Sequence, residues 1–194
     1  MPVATTAVSD ALVAACRRGE ENSQLELYNL LAYSLMGVCI RYCPTQAEAE
    51  DALQDTFVKI FMRLDQYRNE GPFEAWARRV AVRTCLHAVE QHRLRHPNGV
   101  HSAAPGGVDD YSSQLPSPEP SALDAIALND LLGCLARLPL GYRTVLNLAI
   151  EGYSHPEIAQ LLHISESTSR SQLARARQLL AQRLRVAEPK LFLS

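Results

Sequence analysis

The stretch that decides the fold runs from Tyr153 to Leu184, YSHPEIAQLLHISESTSRSQLARARQLLAQRL. Ser154 stands three residues before Glu157, the spacing at which a hydroxyl and a carboxylate satisfy orphan N–H groups at a helix start, and Pro156 is tolerated in the first turn. A helix therefore begins here. Ile158, Ala159, Leu161 and Leu162 give it a short apolar face. His163-Ile164-Ser165 then breaks the period, and Ser165 can cap a second helix with Glu166 in its positively polarised first turn. At 100° per residue, Leu173, Ala176, Leu180 and Leu184 fall on one side of that second helix. Ser167, Thr168, Ser171, Arg175, Gln178 and Gln182 fall on the other. Two short helices joined by a tight turn result, one packed by its apolar face and the other offering hydroxyls, amides and arginine outward. This is the pattern of a helix-turn-helix that reads duplex DNA, and those side chains suit a major groove. An amphipathic hairpin inside some other helical bundle is the plainer alternative.

Outward from this segment, the chain has 194 residues and 47% hydrophobic content, which suits two small helical domains better than one large core. Few β-branched residues run consecutively, and the long segments repeat at helical period, so the expected fold class is all-α: two small helical domains joined by a flexible linker, the C-terminal one a helix-turn-helix. The formal net charge of −2 hides a partition. Residues 1–70 carry six basic and ten acidic groups and 71–101 carry five and two. Residues 102–136 carry no basic and five acidic groups, and 137–194 carry eight and four. Two basic islands are thus set in an acidic background that limits non-specific adhesion to nucleic acid.

Cys16, Cys39, Cys43, Cys85 and Cys134 form no CxxC pair. Cys39 and Cys43 share a helical face and could join a histidine at a metal, but buried thiols in a reducing compartment are the expected reading, with no metal and no cofactor. A basic n-region followed by an apolar run is absent at the N-terminus, and no stretch of about 18 apolar residues occurs, so a cytoplasmic protein without membrane insertion is expected.

Between His96 and Ser121 the sequence HPNGVHSAAPGGVDDYSSQLPSPEPS has no helical period and reads as a linker. It separates an N-terminal domain, 8–95, from a C-terminal one, 122–186. In the first, Leu27, Leu31, Leu35, Val38 and Tyr42 line one side of a helix ending before Pro44. Gln46–Gln66 forms the next helix, with Ala49, Leu53, Phe57, Ile60, Phe61 and Leu64 buried and Glu50, Asp51, Gln54, Asp55 and Lys59 on the opposite side. After a loop over 67–72, a helix from Phe73 to about Arg95 carries Trp76 and Val80 inward and Arg78, Arg79 and Arg83 on its exposed flank. Aromatic and cationic groups at one loop-helix junction can grip single-stranded DNA, because bases stack on rings while arginine neutralises phosphate. Phe73 and Trp76 could equally anchor the core.

Taken together, EAEDALQDTFVKIFMRLDQYRNEGPFEAWARRVAV (48–82) followed by LPLGYRTVLNLAIEGYSHPEIAQLLHISESTSRSQLARARQLL (138–180) resembles the extracytoplasmic-function class of bacterial sigma-70 factors. The resemblance spans roughly 10–95 and 122–186. It implies a region 2-like domain that binds core RNA polymerase and the minus-ten element, and a region 4-like domain that binds the minus-thirty-five element. Asp51, Gln54, Asp55 and Phe57 look like the polymerase-binding motif of the family. Arg68, Phe73, Trp76, Arg78, Arg79 and Arg83 lie in the stretch that resembles the loop and helix that capture and help melt the upstream promoter element. Ser167, Thr168, Arg170, Ser171, Gln172, Arg175 and Arg177 lie in the stretch that resembles the duplex-reading helix.

This chain also departs from the family pattern at four places: His163 stands at a turn position usually held by Gly, Ser169 where Val is preferred, Gln172 where Arg is frequent, and Arg83 where many members have Asn. Of these, His163 requires a left-handed backbone at some cost, and Ser169, about 40° from the centre of the packed face, loosens the second helix.

What the resemblance implies is a non-enzymatic initiation factor whose partners are core RNA polymerase, promoter DNA and, as for many members, an anti-sigma factor. A free-standing helix-turn-helix regulator with a sensing or dimerising helical domain explains 138–185 equally well but gives no reason for the 48–83 constellation. Nor does an enzyme fit: no nucleophile, metal-spaced or paired-carboxylate set converges, Gly106-Gly107 lacks the Lys-Ser/Thr of a phosphate loop, and His87, His92, His96 and His101 surround a helix end and the linker.

Overall fold

The computed structural model of the chain describes residues 8–43, 45–95 and 130–187. Every secondary-structure element among them is helical, as the periodicity predicts, and they divide into two compact units, 8–95 and 130–187. The expected linker at 96–121, the first residues of the expected second domain and Pro44 lie outside the described residues.

The first unit holds α1 (Asp10–Arg17), α2 (Glu21–Tyr42), α3 (Gln46–Met62), a 3-10 turn at Leu64–Gln66 and α4 (Phe73–Arg95). Leu27, Leu31, Leu35, Val38 and Tyr42 of α2 are all buried, and α3 answers with Ala49, Leu53, Phe57 and Ile60. From α4 come Ala77, Val80, Ala81, Val82 and Cys85. Each such large aliphatic side chain contributes about 1.5–3 kcal/mol when fully withdrawn from water. Two expectations are corrected here. The helix from Gln46 stops at Met62 rather than Gln66, because Arg63 leaves helical geometry at φ −119, ψ 14 and the chain tightens into the 3-10 turn. Phe61 is only half-buried, lying beside Phe57 with ring centroids 6.1 Å apart.

Thr45 caps α3, accepting from the Glu48 amide at 3.3 Å and donating its hydroxyl to the Glu48 carboxylate at 2.9 Å. The other carboxylate oxygen of Glu48 lies 2.8 Å from His92 Nδ1, tying the start of α3 to the end of α4. All five cysteines are free and buried. Hydrogen bonding to the Cys39 and Cys43 thiols, together with burial, raises the pKa of the Cys85 thiol and keeps it protonated. Among the described residues no group of metal-ligating side chains fits an ion, and no helix is long and apolar enough to cross a membrane.

In the second unit, helical residues 130–136 (α5) precede α6 (Leu140–Ile150), α7 (His155–Leu162) and α8 (Glu166–Ala187). After α6, Gly152 takes φ 88 and the Tyr153 amide donates to Leu148 O at 3.1 Å, the left-handed closure that glycine adopts without strain. That closure aims the chain into α7. Val145 and Leu148 of α6, Ile158 of α7 and Leu173 and Ala176 of α8 form the core, while Leu161, Leu162, Leu180 and Leu184 are half-buried.

Candidate nucleic-acid interface

In the second unit the local chemistry read from the sequence sets the geometry. The Glu157 carboxylate accepts from the Ser154 backbone N–H at 2.8 Å and from its hydroxyl at 2.6 Å, completing a capping box with Pro156 in the first turn. His163 ends α7 at φ 53, ψ 43, the left-handed conformation its turn position demands, and the Ile164 amide donates to Ala159 O at 3.0 Å. Ser165 Oγ accepts from the Thr168 amide at 3.1 Å and so caps α8.

Ser167, Ser171 and Arg175 stand exposed on α8 in the middle of its outer face. Arg170 and Arg177, seven residues apart, are exposed along one flank, with Arg170 ion-paired to Glu166. Thr168 and Gln172 form the other flank and are half-buried; the Gln172 carboxamide oxygen stands 3.8 Å from where a Cβ on Gly141 of α6 would lie. The inner face holds a surprise. Ser169 is 0% exposed and shares a 2.9 Å hydrogen bond with His155 Nδ1 at the start of α7. The hydroxyl that was expected to loosen the helix is instead a polar pin between the two helices.

In the first unit, the loop and the start of α4 converge on an aromatic cluster. Tyr67 meets Phe73 edge to face at 5.0 Å and Trp76 at 5.8 Å, and Phe73 meets Trp76 at 5.3 Å. Phe73 is only 2% exposed, so its ring is not offered to a base but holds the cluster from beneath. Trp76, expected inward, is half-buried, with part of its ring reaching the surface. Arg68 on the loop and Arg78, Arg79 and Arg83 on α4 are exposed. Loop geometry is fixed by two left-handed positions, Asn69 at φ 57 and Gly71 at φ 132, and by the Tyr67 hydroxyl, which donates to Gly71 O at 2.6 Å. Burial foremost, then Asp10 and Glu74, lift the Tyr67 pKa above its ordinary value and keep that donor protonated.

Across α3, Asp51, Gln54 and Asp55 are exposed on one side, with the Lys59 ammonium 4.0 Å from Asp55. Phe57 is 4% exposed, packs on Tyr28 at 4.5 Å and supports this face from below rather than lying on it. The sequence reading missed Val58 and Met62, which at seven and eleven residues from Asp51 extend the same side and are strongly exposed. The signal was present as apolar residues at the period of a polar face.

Comparison with known proteins agrees with this layout. Residues 27–95 match the family described as sigma-70 region 2, and residues 128–180 match sigma-70, region 4. The chain is 34% identical over 152 residues to the ECF RNA polymerase sigma factor SigE of Mycolicibacterium smegmatis, covering 77% of this chain and 54% of that one, so it spans about half the length of that relative. With the ECF RNA polymerase sigma-E factor of Haemophilus influenzae it shares 24% identity over 178 residues, covering 90% of this chain and 94% of that factor. The crystal structure of the sigma factor RpoE bound to the anti-sigma factor NepR, from Bartonella quintana, superposes with a TM-score of 0.53 at 22% identity, covering 84% of this chain and 97% of that one, a likeness of fold.

Proposed function

This chain belongs to the extracytoplasmic-function group of the sigma-70 family, and from that premise we propose that it binds core RNA polymerase through the α3 face, takes hold of promoter DNA with both units and directs initiation at a chosen set of genes. The observation that carries this reading is the occurrence of two sigma regions in one chain, in order, each with an exposed face of the required chemistry.

Asp51, Gln54 and Asp55 supply charge and hydrogen bonding to the polymerase, and Val58 and Met62 supply apolar contact at the end of the same stripe. Trp76 stacks a base of the opened strand while Arg68, Arg78, Arg79 and Arg83 neutralise its phosphates. Ser167, Ser171 and Arg175 face the major groove of the upstream element, with Arg170, Arg177, Thr168 and Gln172 on the flanks positioning the helix against phosphate. The chain acts in the cytoplasm, performs no chemistry of its own and requires no cofactor. An anti-sigma protein, the partner type present in the Bartonella complex, would compete for the same surfaces.

Co-purification with core polymerase followed by run-off transcription from genomic fragments tests the proposal. Association and a new set of start sites are expected. Alanine at Asp51, Gln54 and Asp55, all exposed, should abolish core binding with the helical content intact; unchanged affinity would refute the docking role. Specific operator binding by the free chain with no effect on polymerase would point to a free-standing regulator.

A further inference from the structure

The loop over residues 67–72 is held from outside its own sequence neighbourhood. Arg17, in the last turn of α1, donates Nε to Leu64 O at 3.1 Å and Nη2 to the same oxygen at 2.9 Å. A third bond runs from Nη2 to Tyr67 O at 2.6 Å. One planar guanidinium thus grips both carbonyls that bracket the entry to the loop, a geometry that lysine's single ammonium cannot reproduce. At the other end of α1, the Val8 backbone N–H donates to Glu74 Oε1 at 2.7 Å, and Glu74 lies in the first turn of α4, just beyond the loop. Ser9 fixes α1 in register by capping it through the Leu12 amide at 3.2 Å. The short helix is therefore pinned to both ends of the loop that presents Arg68 and leads into Trp76. It also lies wholly before residue 27, where the match to sigma-70 region 2 begins.

We propose that Arg17 is a positioning residue for promoter opening, holding the 67–72 loop and the Tyr67, Phe73 and Trp76 cluster in the arrangement that receives the displaced strand. This rests on the reading of the chain as a sigma factor whose first unit takes that strand. Arg17 touches no DNA in this role. Its effect passes through the Leu64 and Tyr67 carbonyls to the Tyr67 ring, whose hydroxyl in turn closes the loop on Gly71. Without the fork, those carbonyls turn to water, the turn at Leu64–Gln66 relaxes, and the ring against which Trp76 rests moves.

The test uses the full chain assembled with core polymerase. Affinity for a single-stranded oligonucleotide carrying the displaced-strand sequence of a responsive promoter is measured for the wild type, Arg17→Ala, Arg17→Lys and the control Arg18→Ala. Arg18 pairs instead with Glu20 at 2.7 Å, so its removal changes the charge equally without touching the loop. Expected for Arg17→Ala is about a tenfold loss of strand affinity, the scale of one charge-assisted hydrogen bond, with core affinity unchanged; Arg17→Lys should recover part of it. Trp76, the single tryptophan of the chain, should change its emission in Arg17→Ala before any DNA is added. Should Arg17→Ala fail to fold, Arg17→Lys, which keeps charge and stem, still decides the matter through its strand affinity. A variant that melts earlier yet binds the strand and fluoresces as the wild type does would overturn the proposal and leave Arg17 a packing residue. Failure of the wild type itself to bind core polymerase would instead remove the underlying reading, and this proposal with it.

Discussion

His163 and Ser169 are two of the three residues at which this helix-turn-helix departs from its family pattern, and each of the two has a local physical account. His163 sits at φ 53 and carries a Cβ into left-handed space, which costs about 1–2 kcal/mol for an L-residue. Replacement by glycine removes that cost and returns part of it as unfolded-chain entropy. His163→Gly should therefore stabilise the second unit by roughly 0.5–1 kcal/mol, read as a higher urea midpoint with an unchanged slope; a lower midpoint would mean that the imidazole makes a contact worth more than the strain. Ser169 is fully buried, and its 2.9 Å bond to His155 joins α8 to α7. A double-mutant cycle on His155→Ala and Ser169→Ala should return a coupling of about 1 kcal/mol, the net worth of such a bond. Purely additive losses would show that the hydroxyl is satisfied elsewhere.

At the level of elements, the loop between α3 and α4 is closed by the Tyr67 hydroxyl as well as held by Arg17. The Tyr67 pKa is raised in the folded chain above the ~10 of a free tyrosine. Stability from its bond to Gly71 O is then complete below the unfolded-state value and lost as pH climbs through the folded one. Tyr67→Phe, which leaves that carbonyl without the hydroxyl, should cost about 1 kcal/mol near neutral pH. The gap between wild type and variant should narrow above pH ~10, measured by thermal unfolding followed in the far-UV. A gap that stays constant into strong alkali would exclude the tyrosine as the titrating group.

This loop also marks the limit of what periodicity could reveal. The buried faces of α2 and α3, the range of α4 and the Ser154–Glu157 capping box are local patterns at spacings of three and four, and they were legible, although the matching cap of Thr45 on Glu48 was not read. Arg17 was not, because its carbonyl partners lie 47 and 50 residues away and a cation aimed at a backbone oxygen leaves no repeat in the sequence. Helical period placed Phe57 in the core and left Phe73 open between core and contact; both rings lie under the face that their motifs mark. Met62 ends α3 early through the conformation of Arg63, which nothing in its residue type requires.

For the molecule as a whole, the division of charge governs how it meets DNA. Net positive charge is confined to two islands in a chain of net charge −2, and on α8 one of the exposed cations, Arg170, is paired with Glu166. Arg175 and Arg177 then account for about two released counterions. The free chain should bind duplex promoter DNA weakly, its log affinity falling against log salt. Arg175→Ala combined with Arg177→Ala should make that slope shallower by about 2. Assembly with polymerase changes the arithmetic without changing the contacts, because α8 is then delivered to the upstream element at an effective concentration set by the scaffold. The same two substitutions in holoenzyme should therefore weaken promoter occupancy by a smaller factor than in the free chain, measured at matched ionic strength by electrophoretic shift. An equal factor in both settings would mean that the second unit recognises DNA independently of the polymerase, and the division of labour between the two units would have to be redrawn.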